Sequence, residues 1–302
     1  MLVAALLFSV MSACVKLASA HFSVAEIVMY RGLTGVVLLA LLIRHQHGTL
    51  RTPHIKDHLW RGAVGVVSLW LWFFGISKLP LATAVTLNYM SPIWMAAFLF
   101  CAGWWHAKDH VAWPLVAAIL CSFVGVTLVL QPAFEAKQWV GALTTLGSGL
   151  FSAAAYLQVR KLSQLGEPEY RVVFFFSCVN LGAGLAGAAT TALDPAVVTF
   201  HALDWTSGGL LLLMGTSATL AQLAMTRAYA VGNTLVVANL QYTGIIFSSI
   251  WSMLLWGDRF DWHVWLGMAI ILGSGLAVTY YNTRSTTRGT AVEKTDPIAS
   301  ET

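Results

Sequence analysis

The chain has 302 residues, of which 58% are hydrophobic and only 10% are charged, and its mean hydropathy is +0.72. A soluble domain usually carries about 25% charged residues. With so few charges the chain could not cover a water-facing surface, which excludes a soluble enzyme, a disordered protein and a disulfide-stapled secreted protein. The formal net charge is +4, and no basic stripe interleaved with aromatic residues indicates a nucleic-acid partner.

Apolar stretches long enough to cross a bilayer, which takes about 20 residues, recur along the whole chain. They predict an all-α integral membrane protein with ten transmembrane spans. Their ranges, in chain order, are 2–20, 25–43, 62–77, 82–104, 111–130, 140–159, 172–190, 208–228, 234–256 and 262–281.

The distribution of Lys and Arg predicts the orientation of these spans, because positive residues concentrate in cytoplasmic loops. With the N-terminus inside, the inner loops and tail hold 12 of these residues, Arg61 among them, and the outer loops hold 3. We therefore expect both termini in the cytoplasm of a bacterial-type inner membrane. The polar tail, residues 282–302, is predicted to be disordered.

An internal repeat appears when the chain is compared with itself at an offset of 152 residues. Nine of the 25 residues from 104 to 128 are then identical to their counterparts, including two Trp and one Asp. We predict two five-span repeats, 2–130 and 140–281. Because five is odd, the second repeat enters the membrane from the opposite side. Inverted repeats allow one site to open alternately to either face, although a repeat can also merely duplicate a helical fold.

The same offset places Pro92 of the fourth span opposite Gly244 of the ninth, and both lie near mid-span. Such residues weaken a helix locally, and interrupted helices at matching positions point to the binding site. Polar residues flank both positions and predict a central substrate cavity, with Gly244 in a gating role; interhelical hydrogen bonding alone is the alternative. The flanking candidates are Asn88, Tyr89, Asn239, Gln241 and Tyr242.

Two cations fall inside predicted spans, Lys16 in the first and Arg31 in the second. A charge within the membrane is a functional hypothesis by default, so Lys16 is assigned to the substrate cavity, with snorkelling to the headgroups as the alternative. Arg31 is assigned a structural role. Glu26 at the outer mouth could neutralise one of them, and Tyr156 and Gln222 are further cavity candidates.

No acidic residue and no His is predicted to lie deep within a span, so the usual proton relay is not indicated. Facilitated movement or exchange fits these residues better. A cavity with cations, amides and tyrosines suits a neutral, zwitterionic or anionic organic solute rather than a cation. The four cysteines lie in apolar runs without CxxC spacing, so neither a metal nor another cofactor is expected.

Three strings of the sequence resemble the EamA family of the drug/metabolite transporter superfamily. They are "SACVKLASAHFSVAEIVMYRGLTGVVLLALL", "GISKLPLATAVTLNYMSPIWMAAFLF" and "SMLLWGD". The resemblance implies ten helices in two inverted repeats, cytoplasmic termini and movement of small metabolites, often outward. It also implies the Lys, Arg and Pro that are matched here by Lys16, Arg31 and Pro92.

The chain departs from the pattern of that family at three positions. The family commonly has a Glu after the fourth and ninth helices, where His106 and Asp258 stand, and a Pro in the ninth where Gly244 stands. We expect an alternating-access carrier for a small organic metabolite such as an amino acid or a derivative, working by export or exchange. An S-adenosylmethionine-type uptake carrier is one alternative, because the opening strings resemble those carriers.

Two other classes remain as alternatives, a membrane-embedded enzyme and a scaffold that transports nothing. The nearest approach to a metal cluster is His106, Asp109 and His110, which lack an evident fourth ligand and are expected to form a solvated loop. The expected partners are a small-molecule metabolite and the lipid bilayer, and a homodimer is compatible with the sequence.

Overall fold

A computed structural model describes residues 1–106, 138–191, 201–232 and 234–274, together with single helical positions between 117 and 129 and between 276 and 280. These residues form helices and connecting turns, with no strand among them. The helices are α1 (Leu2–Ala18), α2 (Val24–His45), α3 (Ile55–Lys78), α4 (Leu81–Asn88), α5 (Ser91–His106), α6 (Trp139–Gln164), α7 (Glu169–Thr191), α8 (Trp205–Val231), α9 (Thr234–Leu240), α10 (Thr243–Trp256) and α11 (Trp262–Ser274).

Five of these helices, α2, α3, α6, α7 and α8, are long and apolar enough to cross a membrane, and α1 and α11 are shorter apolar helices. The chain is therefore a helical, multi-pass membrane protein, as its composition predicts. Most of the predicted fifth span and the whole tail, 282–302, lie outside the described residues. The total of ten spans thus stays a prediction.

The third helix begins seven residues earlier than the apolar run suggested, at Ile55 rather than at residue 62. Arg61 and His58, which the sequence placed in a loop or mouth, are instead buried helical residues. A search for apolar runs misses this first part of α3 because it is polar. Its charged side chains find partners on other helices rather than in water, as described below.

The fourth and ninth spans are each interrupted, as Pro92 and the offset predicted. The first break separates α4, ending at Asn88, from α5, beginning at Ser91; the second separates α9, ending at Leu240, from α10, beginning at Thr243. The two breaks therefore occupy equivalent positions at the 152-residue offset. The expectation of a mid-helix Pro92 was wrong in one respect. This residue lies in the first turn of α5, where the missing N–H of proline costs no helical hydrogen bond.

Within the described residues, helices of the first half pack mainly against helices of the second. Helix α1 contacts α8 and α10, α2 contacts α7 and α8, α3 contacts α6 and α7, and α4 and α5 both contact α6. Exchanging the two halves maps most of these contacts onto one another, because the pair α1 and α8 becomes α6 and α3 and the pair α1 and α10 becomes α6 and α5. The contact between α4 and α6 is the exception, since α9 and α1 make no contact of similar extent in the described residues. The two interrupted spans also meet, with α4 against α10 and α5 against α9.

The crossing of α2 and α7 repeats the same relationship at atomic detail. A Cβ atom on Gly32 would lie 2.4 Å from the backbone nitrogen of Leu181, and one on Gly184 would lie 2.5 Å from the backbone nitrogen of Met29. Gly32 and Gly184 are 152 residues apart, and so are Met29 and Leu181. Glycine lets the two backbones approach this closely. The two contacts are the pair that a two-fold axis between the halves would generate.

Candidate functional site

A buried cavity lies where the two halves meet. Its volume open to the centres of water molecules is about 40 Å³, enough for a few waters, so an organic solute would require the surrounding helices to part. Both halves contribute to its wall. The lining residues are Phe8, Met11, Arg31, Arg61, Gly65, Ser68, Leu69, Trp72 and Tyr89 from the first half, and Ser152, Ala155, Tyr156, Phe176 and Gln222 from the second.

Two arginines and one aromatic ring form the charged part of the cavity wall. The guanidinium carbon of Arg61 lies 3.5 Å from the centroid of the Phe176 ring, and that of Arg31 lies 5.1 Å from it. Arg31 is 4% exposed and Arg61 is 2% exposed. The attraction of a cation to an aromatic face helps to hold both side chains in place.

Three of the six nitrogen atoms in these two guanidinium groups lack a protein partner in the described residues. Arg61 donates one hydrogen bond, from Nη2 to Oε1 of Gln222 at 3.1 Å. The Nε and Nη1 atoms of Arg61 and the Nε atom of Arg31 are buried without a hydrogen-bond partner in the described part of the chain. No Asp or Glu is among the lining residues. The cavity therefore holds two positive charges that the described protein does not neutralise.

Aromatic side chains surround the arginine pair and offer flat faces to a ligand. Trp72 and Tyr89 belong to the lining, as does Tyr156, whose ring stacks on Tyr229 with centroids 5.9 Å apart and an interplanar angle of 24°. Aromatic walls with a few polar groups are typical of small-molecule sites.

Polar contacts connect both helix breaks to the cavity. At the first break, Nδ2 of Asn88 donates to Oγ of Ser148 at 2.7 Å and lies 3.4 Å from Oγ of Ser152, a lining residue. At the second, Nε2 of Gln241 donates to the hydroxyl of Tyr229 at 2.8 Å. The first break therefore touches the cavity wall directly, and the second reaches it through Tyr229, which stacks on Tyr156.

Of the residues proposed from the sequence, Tyr89, Tyr156 and Gln222 line this cavity, and so does Arg31, which was assigned a structural role. Asn88 and Gln241 lie behind the wall, in the contacts above. Tyr242 and Pro92 are buried elsewhere, and the Tyr242 hydroxyl has no partner in the described residues. The side chain of Asn239 lies outside the described residues.

The structure places Lys16 outside the cavity lining and against the end of α3. Its ammonium group donates to the backbone oxygen of Ile76 at 3.2 Å and to that of Leu79. The last carbonyl groups of a helix lack intrahelical partners and carry partial negative charge. Lys16 thus caps the C-terminus of α3.

Glu26 neutralises neither of the cations for which it was suggested. Its carboxylate accepts a hydrogen bond at 2.8 Å from the backbone N–H of Ser23, in the capping box that begins α2. The same carboxylate accepts from the backbone N–H of His201 at 2.9 Å, and the His201 ring lies 3.0 Å away. Glu26 is therefore a connector between the α1–α2 turn and the segment that precedes α8.

A second buried polar cluster lies at the opposite end of the helices, around Glu167 in the α6–α7 turn. The carboxylate accepts from the Thr52 hydroxyl and from Arg171 at 2.7 Å, and Nε2 of His58 lies 3.2 Å from it. Burial opposes ionisation of Glu167, but the contacts with Thr52, Arg171 and His58 outweigh it and lower the pKa of the carboxyl below its usual value.

Arg61 was not among the site residues predicted from the sequence, although the sequence contains a signal for it. Arg61, Gly65, Ser68 and Trp72 follow the spacing i, i+4, i+7 and i+11, which places them on one helical face, and all four line the cavity. Extending the third span by one residue, from 62 to Arg61, would have put a cation on that face.

Three curated relatives from bacteria are similar to this chain along most of its length. A pseudopaline exporter, CntI, of Pseudomonas aeruginosa is 31% identical over 272 residues, which cover 90% of this chain and 92% of CntI. A riboflavin transporter of Vibrio cholerae is 25% identical, with 95% and 94% covered. An S-adenosylmethionine uptake transporter of Rickettsia bellii is 20% identical, with 82% and 80% covered.

A solved structure supports the same arrangement of helices. A crystal structure of a protein with 16% sequence identity superposes with a TM-score of 0.61 and covers 91% of this chain and 96% of the other. The family model for EamA-like transporters matches residues 1–131, and the similarity to CntI continues beyond it through the second half. The chain therefore belongs to the EamA-like transporter family.

Proposed function

We propose that the protein is a carrier that moves a small organic metabolite across a bacterial inner membrane by alternating access. The observation that carries this proposal is the position of the cavity. It is lined by side chains of both halves and lies next to both interrupted spans. Carrier sites typically form at the interface of two repeats, beside discontinuous helices.

The relationship between the halves supports an inverted pair of repeats. Most of the helix contacts map onto one another when the halves are exchanged, and the Gly32 and Gly184 crossings correspond at the 152-residue offset. With five spans in each half, this exchange axis lies in the membrane plane. Rocking of one half against the other would then open the site to one face at a time.

We further propose that the protein works by export or exchange of an amino acid or a derivative. CntI, which is 31% identical to this chain, is named as an exporter, which favours the outward direction. Uptake of S-adenosylmethionine is a weaker alternative, because that relative is only 20% identical. The cavity lining includes no Asp, Glu or His, which favours exchange or facilitated movement over a proton relay at this site.

The two other classes have less support. An enzyme would need a catalytic constellation, and within the described residues no group of three His, Cys, Asp or Glu could hold a metal ion. Asp109 and His110 of the short loop lie outside those residues. A scaffold would have no use for a cavity with two unneutralised arginines. Homodimer formation and cytoplasmic termini stay predictions of the sequence.

Transport by purified protein in proteoliposomes tests the proposal. A panel of radiolabelled amino acids, nucleosides and carboxylic acids is offered with and without a pH gradient, and with and without unlabelled solute inside. We expect at least one member to accumulate faster than in protein-free liposomes, with internal solute accelerating its entry. Failure of every member to move would contradict the carrier assignment.

A pair of glutamine substitutions supplies the matched control. Gln222 lines the cavity, whereas Gln158 donates to Asp57 at 2.8 Å outside it. We expect Gln222→Ala to reduce flux at least tenfold and Gln158→Ala to leave it within about a factor of two. Equal effects of the two changes would remove the cavity from the transport route.

A further inference from the structure

We propose that Arg31 and Arg61 together bind the carboxylate group of an organic anion, which makes this pair the charge-selective part of the site. This inference rests on the proposed function in one respect, namely that the bound anion is the transported solute. The binding chemistry itself follows from the two arginines' shared position in the cavity wall.

Some of the hydrogen-bond donors of the two arginines have no acceptor among the described residues. Three guanidinium N–H positions are buried without a partner in the described residues, Nε of Arg31 and Nε and Nη1 of Arg61. Buried polar groups in native structures are nearly always hydrogen-bonded, and an exception calls for an explanation. A ligand oxygen is such an explanation, because both arginines line the same cavity.

The charge of the cavity also favours an anionic ligand. Two guanidinium groups lie against the ring of Phe176, and no acidic residue lines the cavity. A buried charge without a partner is strongly destabilising. A bound anion would supply the missing counter-charge, whereas a cationic solute would add to the repulsion and find nothing to neutralise it.

The surroundings of the two arginines favour a carboxylate over a phosphate group. Phosphate sites commonly use backbone N–H groups at the start of a helix, and no lining residue lies in the first turn of a described helix. The planar fork of a guanidinium matches the oxygens of either group, so the lack of a helix start in the described lining is what favours the carboxylate. The remaining wall, with Trp72 and Tyr89, suits an apolar or aromatic body attached to that group.

Three planar probes of nearly equal shape test the assignment, namely benzoate, benzamide and benzamidinium. They carry a charge of −1, 0 and +1 on the same aromatic body. The melting temperature of the full-length protein in detergent is measured against the concentration of each probe, because a ligand that binds the folded state raises it. We expect benzoate to raise the melting temperature in a saturable manner, and the other two to have no saturable effect. Equal stabilisation by benzamide would overturn the proposal.

Phenyl phosphate serves as the fourth probe and separates the two kinds of anion. We expect it to bind at least tenfold more weakly than benzoate. Tighter binding of phenyl phosphate would mean that the pair recognises phosphate esters and would overturn the carboxylate assignment.

Substitutions identify the residues that bind. Arg61→Gln and Arg31→Gln are each expected to weaken benzoate binding at least tenfold, while Arg44→Gln, on the exposed part of α2, leaves it unchanged. Arg61→Lys keeps the charge without the fork and is expected to give intermediate affinity. Undiminished benzoate binding in both glutamine variants would overturn the proposal. If neither variant folds, the charge series on the unmodified protein decides.

The two proposals fail separately. Arginine-dependent benzoate binding by a protein that moves no solute in proteoliposomes would leave the anion site standing and remove the carrier. Transport that favours quaternary ammonium ions over carboxylates would leave the carrier standing and remove the anion site.

Discussion

The ring of Tyr89 packs directly against Gly244, so that the break in the fourth span touches the break in the ninth. A Cβ atom built on Gly244 would lie 2.6 Å from both Cε2 and the hydroxyl oxygen of Tyr89. Since Tyr89 also lines the cavity, this contact joins both discontinuous helices to the substrate site. Movement at either break would therefore displace residues of the cavity wall.

Replacement of Gly244 by Ala is expected to destabilise the protein and slow its transport. The added methyl group collides with a buried ring, and overpacking of this kind costs about 1–3 kcal/mol. The free energy of unfolding in detergent and the initial rate of flux are the two measurements. Tyr89→Leu in the same chain should recover part of the lost stability, because it removes the atoms that clash.

The control for this change is Gly273→Ala, in α11. A Cβ on Gly273 would meet nothing within 4 Å, so only the helix propensity changes, which favours Ala by up to about 1 kcal/mol. A Gly244→Ala protein as stable as Gly273→Ala would show that Tyr89 and Gly244 are not in contact.

Gly32→Ala and Gly184→Ala are expected to have closely similar effects. In each variant the new methyl group meets a backbone nitrogen on the opposite helix, which cannot move as a side-chain tip could. We expect each to lower the free energy of unfolding by about 3 kcal/mol. Gly182→Ala in α7 meets nothing within 4 Å, so it should change stability only through helix propensity, which favours Ala by up to about 1 kcal/mol. A large effect in only one of the two central variants would argue against a two-fold relationship.

Lys16→Met tests whether Lys16 caps α3 or contacts the solute. The ammonium group satisfies two backbone oxygens at the end of that helix, and its removal should cost about 1–2 kcal/mol of stability. The Michaelis constant and the substrate preference should be unchanged, since Lys16 is absent from the cavity lining. A changed preference with unaltered stability would return Lys16 to the binding site.

Glu167 is expected to make the stability of the protein depend on acid pH. Its pKa is below the usual value, which is about 4.3 for an unfolded chain. Its contribution is therefore complete above about pH 4.3 and is lost as the pH falls through the lower pKa of the folded state. The free energy of unfolding of the unmodified protein minus that of Glu167→Gln should be about 1–3 kcal/mol at pH 7 and should decrease below pH 4.3.

Glu169→Gln is the matched control for that experiment. Glu169 pairs with Arg227, whose side chain is 68% exposed, and exposed ion pairs contribute little. We expect its removal to cost less than about 1 kcal/mol. If both variants gave the same pH dependence, the Glu167 cluster would not be its source.

The hydropathy of short stretches and single residues such as Pro92 were enough to predict the helical membrane fold and the two interruptions. The hydropathy of a stretch indicates a membrane span whatever that span packs against. Pro92 likewise indicates an interruption of its helix whatever surrounds it. The charged first part of α3 could not be recognised in the same way. Arg61 is buried by Gln222 and Phe176, which lie more than 100 residues further along the chain.

The partners of Lys16 and Arg31 could not be predicted for a related reason. Both are single cations in apolar runs, and their surroundings decide whether they bind a helix end or a cavity. The sequence assigned Lys16 to the cavity and Arg31 to a structural role, whereas the fold gives Lys16 the carbonyl groups of α3 and gives Arg31 the ring of Phe176. Only the packing of the two halves distinguishes these two roles.

That packing also bears on the order in which the protein can be built. Because α1, α2 and α3 find their main neighbours in α8, α7 and α6, the first helices to leave the ribosome must wait in the bilayer for partners synthesised later. We expect neither half to fold by itself, and the apolar helices of the first half to stay loosely associated until the second half arrives. Co-expression of two separate fragments, divided between α5 and α6, should therefore reconstitute a native protein that neither fragment forms by itself.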